Sequence, residues 1–277
     1  MKQIAIYCVN YKSYRPLHRF LDSIAAAVAR VNRTDSNSEQ AAIHVFLADN
    51  TEEHTEEISY RPSNFTLQIF PFHKNLGYFG AVGKMMSQES PDRYDFAIIS
   101  NVDVSVSEDA IVQMLIAHTE TDTGWIAPCI YSRKEGRDRN PKIMARYSKQ
   151  KLKVLRFFFR HPWIYNLYTH SAYKSKKLIS HSAGKVYAGH GSFIILTKEF
   201  FARCGSINYP IFLFCEEIYL AEQCIRHQLT VEYMPDIKVY DEEHASTGTF
   251  KRRRYCQFNY DAIDYILRTY YAEDVRE

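Results

Sequence analysis

The chain has 277 residues, 46% of them hydrophobic and 24% charged, with a formal net charge of +3, a size that buries one large core or two modest ones. No run of about 18 apolar residues offers a membrane-crossing helix, and Asn10 and Lys12 come too early for a secretory signal, so a cytosolic protein is expected. The six cysteines, Cys8, Cys129, Cys204, Cys215, Cys224 and Cys256, form no CxxC pair and lie mostly among apolar neighbours, which argues against disulfides and a zinc site.

From the N-terminus, "KQIAIYCV" is a short apolar, β-branched run that reads as a strand. "PLHRFLDSIAAAVARV" follows with helical spacing at Leu17, Phe20, Leu21, Ile24 and Val28. "AIHVFLADN" and "FTLQIFPF" read as further strands, "GAVGKMMSQES" as a helix, and "DFAIISNVDV" as a buried strand with a polar end. This βαβ rhythm predicts an α/β fold with a mostly parallel central sheet flanked by helices. In such sheets ligands sit beyond the carboxyl ends of the strands, where Asn10, Asp49, Asn50, Asn101 and Asp103 fall.

Residues 142–185 carry eleven Lys or Arg, eight aromatics and no Asp or Glu, which leaves the rest of the chain net acidic. Such a mixture suits an anionic membrane surface, with cations at the headgroups and Trp and Phe at the acyl boundary. It suits equally a basic helical pair packed on the core by its aromatics. No RNA- or DNA-binding module surrounds the segment, so nucleic acid is not expected as a partner.

Beyond it lie "GHGSFIILTKEFFARCG", the stretch "YPIFLFCEEIYLAEQC" with adjacent carboxylates Glu216 and Glu217, a strand "TVEYMPDIKVY" and a C-terminal helix containing "YCQFNYDAIDYILRTYY". Two acids at a helix start complement the helix dipole. One of them could instead take a proton from an attacking hydroxyl.

Seven blocks in order, "CVNYKS", "LADNTEE", "HKNLGYFGAVGK", "IISNVDVSV", "GHGSFIILTKEF", "FLFCEEIYLAEQCIRHQ" and "VYDEEHAST", make the chain resemble a family-2 glycosyltransferase of the GT-A fold, near the bacterial rhamnosyl- and galactofuranosyltransferase-like branch. The resemblance implies a single domain over residues 1–277. Its nucleotide-sugar-binding half would be 1–130, its basic aromatic helical segment 142–185, and its acceptor-binding and catalytic half 186–277, with a C-terminal helix. It implies an inverting, divalent-metal-dependent enzyme. The donor would be a UDP or dTDP sugar and the acceptor a hydroxyl of a lipid-linked or oligosaccharide glycan at the inner face of the cell membrane, in O-antigen, capsule or other surface polysaccharide synthesis. The alternative is a non-catalytic nucleotide-sugar-binding or membrane-adaptor protein that kept the fold.

By the same resemblance, Val9, Asn10, Tyr11, Asp49, Asn75, Gly77, Asn101 and Val102 would line the nucleotide sugar. "SNVDV" stands at the family's DxD-type motif with Asn101 in place of the first acid, so Asp103, with His244, would hold Mn2+ or Mg2+. Glu217, where the family usually has Asp, would be the general base, and Glu216 its neighbour, binding acceptor hydroxyls or raising the proton affinity of Glu217 by repulsion. Lys84 and Tyr219 stand where the family often has Asn and a further acid.

Overall fold

A computed structural model describes residues 1–33, 40–53, 57–165, 181–241 and 251–272. In chain order the elements are β1 (Lys2–Asn10), α1 (Tyr14–Asn32), β2 (Ala41–Asp49), β3 (Thr66–Pro71), α2 (Tyr78–Met86), β4 (Phe96–Asn101), β5 (Val104–Val106) and α3 (Ala110–Ile116). They continue with β6 (Thr123–Ser132), β7 (Arg137–Asp138), α4 (Lys149–Arg160), β8 (Gly184–Val186), β9 (Phe193–Thr197), α5 (Lys198–Cys204), α6 (Glu216–Arg226), β10 (Thr230–Asp241) and α7 (Arg252–Tyr270).

Every strand among the described residues joins one sheet, in the order β3-β2-β1-β4-β9-β6-β10-β5, with β7 beside β6 and β8 beside β10. The expected parallel pairing holds for β3, β2, β1 and β4. Beyond β4 the sheet is mixed: β9 runs antiparallel to both β4 and β6, while β10 is parallel to β6 and antiparallel to β5 and β8. The reversal at β9 has a consequence for the site. A strand antiparallel to β4 starts where β4 ends, so the loop leading into β9 arrives at the carboxyl edge of the parallel strands, and Asn101 N–H donates to Ser192 O at 3.0 Å.

The sheet is covered on both sides, which is why β1 is apolar at successive positions rather than alternating. Ile4, Ile6 and Cys8 face the cluster built with Leu17, Phe20, Leu21 and Ile24 of α1. Ala5 and Tyr7 face the opposite cluster, with Phe79 and Met85 of α2, Trp125 of β6 and Leu220 of α6. Among the strands that the sequence does not announce is β6, which Gly124 and Pro128 interrupt. The register with β10 shifts between Met234 and Lys238, a span of β10 that contains Pro235 and follows the Met234–Pro128 pair, the local irregularity expected where residues cannot donate to the ladder.

One face of the basic segment packs on the core. Leu152 and Phe159 of α4 are buried, Arg156 Nη1 meets Asp264 Oδ1 of α7 at 2.6 Å, and Phe159 packs on Tyr255 and Tyr165. Residues 166–180 of the segment lie outside the described residues. No helix among the described residues is long and apolar enough to cross a membrane.

Candidate active site

The parallel register sets Asn10 beside Asp49 and Val9 beside Asn101, so four of the expected residues meet across β2, β1 and β4. Asp49, buried, is held on both oxygens: Oδ1 accepts from Asn10 Nδ2 at 3.1 Å and from Thr51 N–H at 3.1 Å, and Oδ2 from Tyr14 O–H at 3.3 Å. Asn10 Oδ1 in turn accepts from Ser13 N–H at 3.1 Å, ordering the turn into α1. Tyr11 points its hydroxyl to Glu52, and Val9 is half-buried. Val102 turns its side chain into the α1 core, which leaves its backbone as its part in any nucleotide contact.

Asn50 donates from Nδ2 to Gly77 O at 3.0 Å, while its Oδ1 is buried with no partner among the described residues. Asn75 Oδ1 accepts from Gly77 N–H at 3.0 Å. Gly77 has φ +76°, and a Cβ there would lie 2.1 Å from the carbonyl oxygen of Phe212. The sequence reading gave this glycine to the approach of a nucleotide sugar; the contact the structure supplies is the loop that leads to the acidic pair.

That loop is bent hard. Phe214 and Cys215 both adopt left-handed backbone conformations, φ 74° and 61°, a costly arrangement for residues with side chains. Tyr209 O–H donates to Phe214 O at 2.6 Å, and Phe214 N–H donates to Glu216 Oε1 at 3.0 Å, so the turn is held from both ends. Glu217 Oε1 accepts from Gly191 N–H at 3.2 Å, and a Cβ on Gly191 would come 3.1 Å from that oxygen.

Burial first, and the charge of Glu217 second, push the Glu216 carboxyl up to about 8. Glu216 is 6% exposed, whereas Glu217 is half-buried. Tyr219 is core. It packs against Tyr209 and Phe79, and its hydroxyl accepts from Asn208 N–H at 3.0 Å. Lys84 lies over the ring of Phe72 at 4.7 Å.

Two residues with no role in the sequence reading stand inside the site. Tyr78 donates to Gly191 O at 3.0 Å, and its proton is held on by burial and then by the charges of Glu216, Asp103 and Glu217. Asp103 and the acidic pair, more than a hundred residues apart in sequence, thus act on one phenol. His190 is kept neutral by burial and by the nearby Lys142 and Arg139. Its Nδ1 accepts from Ser192 N–H at 3.2 Å, which leaves the ring proton on Nε2. An aromatic beside Gly77 and a histidine between two glycines were the available sequence signals.

Asp103 supplies one hard carboxylate oxygen, a fit for Mg2+ or Mn2+ when phosphate and water complete the shell. No group of three His, Cys, Asp or Glu that could hold a metal occurs among the described residues, and His244 lies outside them. Asp241, at the end of β10, is engaged by Arg139 at 2.5 Å.

No protein-family model matches the chain. It is 24% identical over 265 residues to the N-acetylglucosaminyl-diphospho-decaprenol L-rhamnosyltransferase of Mycobacterium tuberculosis, covering 88% of this chain and 78% of the relative. Among solved structures it superposes on S. aureus TarS 1–349 with a TM-score of 0.54 at 10% identity, over 99% of this chain and 74% of that one. It superposes on GalNAc-T7 with UDP, GalNAc and Mn2+ with a TM-score of 0.60 at 12% identity, over 99% of this chain and 49% of that one. For the mannosyltransferase PcManGT of Pyrobaculum calidifontis with GDP-Man and Mn2+ the TM-score is 0.54 at 11% identity, over 95% and 64%. Fold and relative agree with the resemblance read from the sequence: this chain has the GT-A fold and is similar to family-2 glycosyltransferases.

Proposed function

We propose that the chain is an inverting glycosyltransferase that moves a sugar from a UDP- or dTDP-type donor to a hydroxyl of a lipid-linked glycan in bacterial surface polysaccharide synthesis. The observation that carries this reading is the meeting of Tyr78 and Glu217 on the two backbone groups of Gly191, with Asp103 and Glu216 acting on the same phenol. The mycobacterial relative is named for a lipid-diphosphate acceptor, which supports an acceptor of that class.

Asp49 holds the nucleoside, as an acceptor for a base N–H or a ribose hydroxyl. Asp103, with His244, would hold a divalent ion at the diphosphate, where such an ion neutralises the charge of the leaving group. Glu217, oriented by Gly191 N–H, takes the proton of the acceptor hydroxyl as that oxygen attacks the anomeric carbon. The new C–O bond forms opposite the breaking bond to the diphosphate, which departs with the electron pair. Glu216, its carboxyl pushed up to about 8 by burial and by the charge of Glu217, is protonated at neutral pH.

The test is release of nucleoside diphosphate from a panel of sugar nucleotides with Mn2+, with and without a GlcNAc-diphosphate-lipid acceptor. Release that rises with the acceptor is expected. Tight binding of a sugar nucleotide with no release under either condition would mark a non-catalytic binder.

A further inference from the structure

The helix α4 has two unlike sides. Leu152, Leu155, Arg156 and Phe159 follow the i, i+3, i+4, i+7 spacing of one face and are buried or half-buried toward α7. The opposite face carries Gln150, Lys153, Val154, Phe157 and Arg160 on the same spacing, all exposed. Val154 is 53% and Phe157 52% exposed, and Trp163, just past the helix end, is 70% exposed. Large apolar side chains grouped in this way on a surface mark an interaction site.

Charge identifies the occupant. The apolar residues sit among Lys149, Lys151, Lys153 and Arg160, and the whole stretch 142–185 has no acid to offset them. A second copy of this chain seated on the same face would set these cations against their own images. An anionic lipid surface supplies what the face lacks: phosphates for the Lys and Arg heads and an acyl boundary for Phe157, Val154 and Trp163.

We propose that the outer face of α4, together with Trp163, docks on an anionic phospholipid bilayer. The inner face of the same helix leads to the acidic pair, since Phe159 packs on Tyr255 and Tyr255 on Phe214, two residues before Glu216. Docking would therefore bring the bilayer beside the acceptor side of the site; this last point alone rests on the transfer reading.

The experiment is co-sedimentation of the full chain with phosphatidylcholine vesicles, with and without phosphatidylglycerol, alongside its sedimentation velocity in solution. Binding that requires phosphatidylglycerol and fades in high salt is expected. The pairs Phe157→Ser with Trp163→Ser, and Lys153→Glu with Arg160→Glu, should each weaken it by about tenfold or more with unchanged circular dichroism. Nucleoside diphosphate release in the absence of vesicles should be the same in parent and variants, so docking and transfer fail separately. Absence of binding by the parent, equal binding to pure phosphatidylcholine, parental binding by both variants, or a dimer abolished by the Phe157 and Trp163 changes would each overturn the proposal.

Discussion

At the scale of single residues, the two adjacent glutamates differ more than their sequence suggests. Glu216 is buried and holds its own turn; Glu217 is half-buried and oriented by a loop from a distant part of the chain. The raised carboxyl of Glu216 gives a pH signature. Its ordinary value is 4.5 and its folded value about 8, so between these the folded chain holds a proton that the unfolded chain releases. The folded state binds more protons, and stability falls as pH rises through that window. Glu216→Gln keeps an acceptor for Phe214 N–H and removes the titration. In EDTA, the melting temperature of this variant relative to the parent should be higher at pH 8.5 than at pH 5.5; a difference independent of pH would contradict the assignment. The polar ends of β1, β2 and β4 were legible because strand periodicity ends there. Tyr78 and His190 were not, because their site contacts come from elements whose positions no local pattern encodes.

At the scale of elements, the helix that starts with the acidic pair is anchored at its middle. Glu222, 1% exposed, receives Arg146 Nε at 2.8 Å and Nη2 at 2.9 Å, with Tyr187 O–H at 2.7 Å and Tyr271 O–H at 3.1 Å. This ties α6 to the stretch before α4 and to the end of α7. Arg146→Ala removes the one cation in that set and strands a buried carboxylate, which should cost about 3 kcal/mol of stability. Combining it with Glu222→Gln should recover most of the loss. Urea denaturation checks both, and an Arg146→Ala variant as stable as the parent would show that the bridge contributes nothing. The parallel half of the sheet and the terminal helix followed from their apolar periods. The antiparallel entry of β9 could not be read in advance, since strand direction depends on where the intervening segment crosses the sheet.

At the scale of the whole molecule, two groups of residues reach a common edge of the sheet: one on β1, β2 and β4, proposed to face the nucleotide, and one on the β9 loop and α6, proposed to face the acceptor. The motif blocks made the overall architecture legible because several of them mark strand ends, at Asn10 of β1, Asp49 of β2 and Asn101 of β4, in the order in which the chain forms those strands. They could not give the difference in burial between the two glutamates, which depends on tertiary packing. The account turns on Glu217 as the base that accepts the proton of the acceptor hydroxyl. Its most direct test is the rate of labelled-sugar transfer to a GlcNAc-diphosphate-lipid acceptor by Glu217→Gln, compared with the parent and with Glu216→Gln at equal donor affinity. The account predicts a loss of about 10² to 10⁴ for Glu217→Gln and a smaller loss for Glu216→Gln. Parental transfer by Glu217→Gln, or a greater loss in Glu216→Gln, would contradict it.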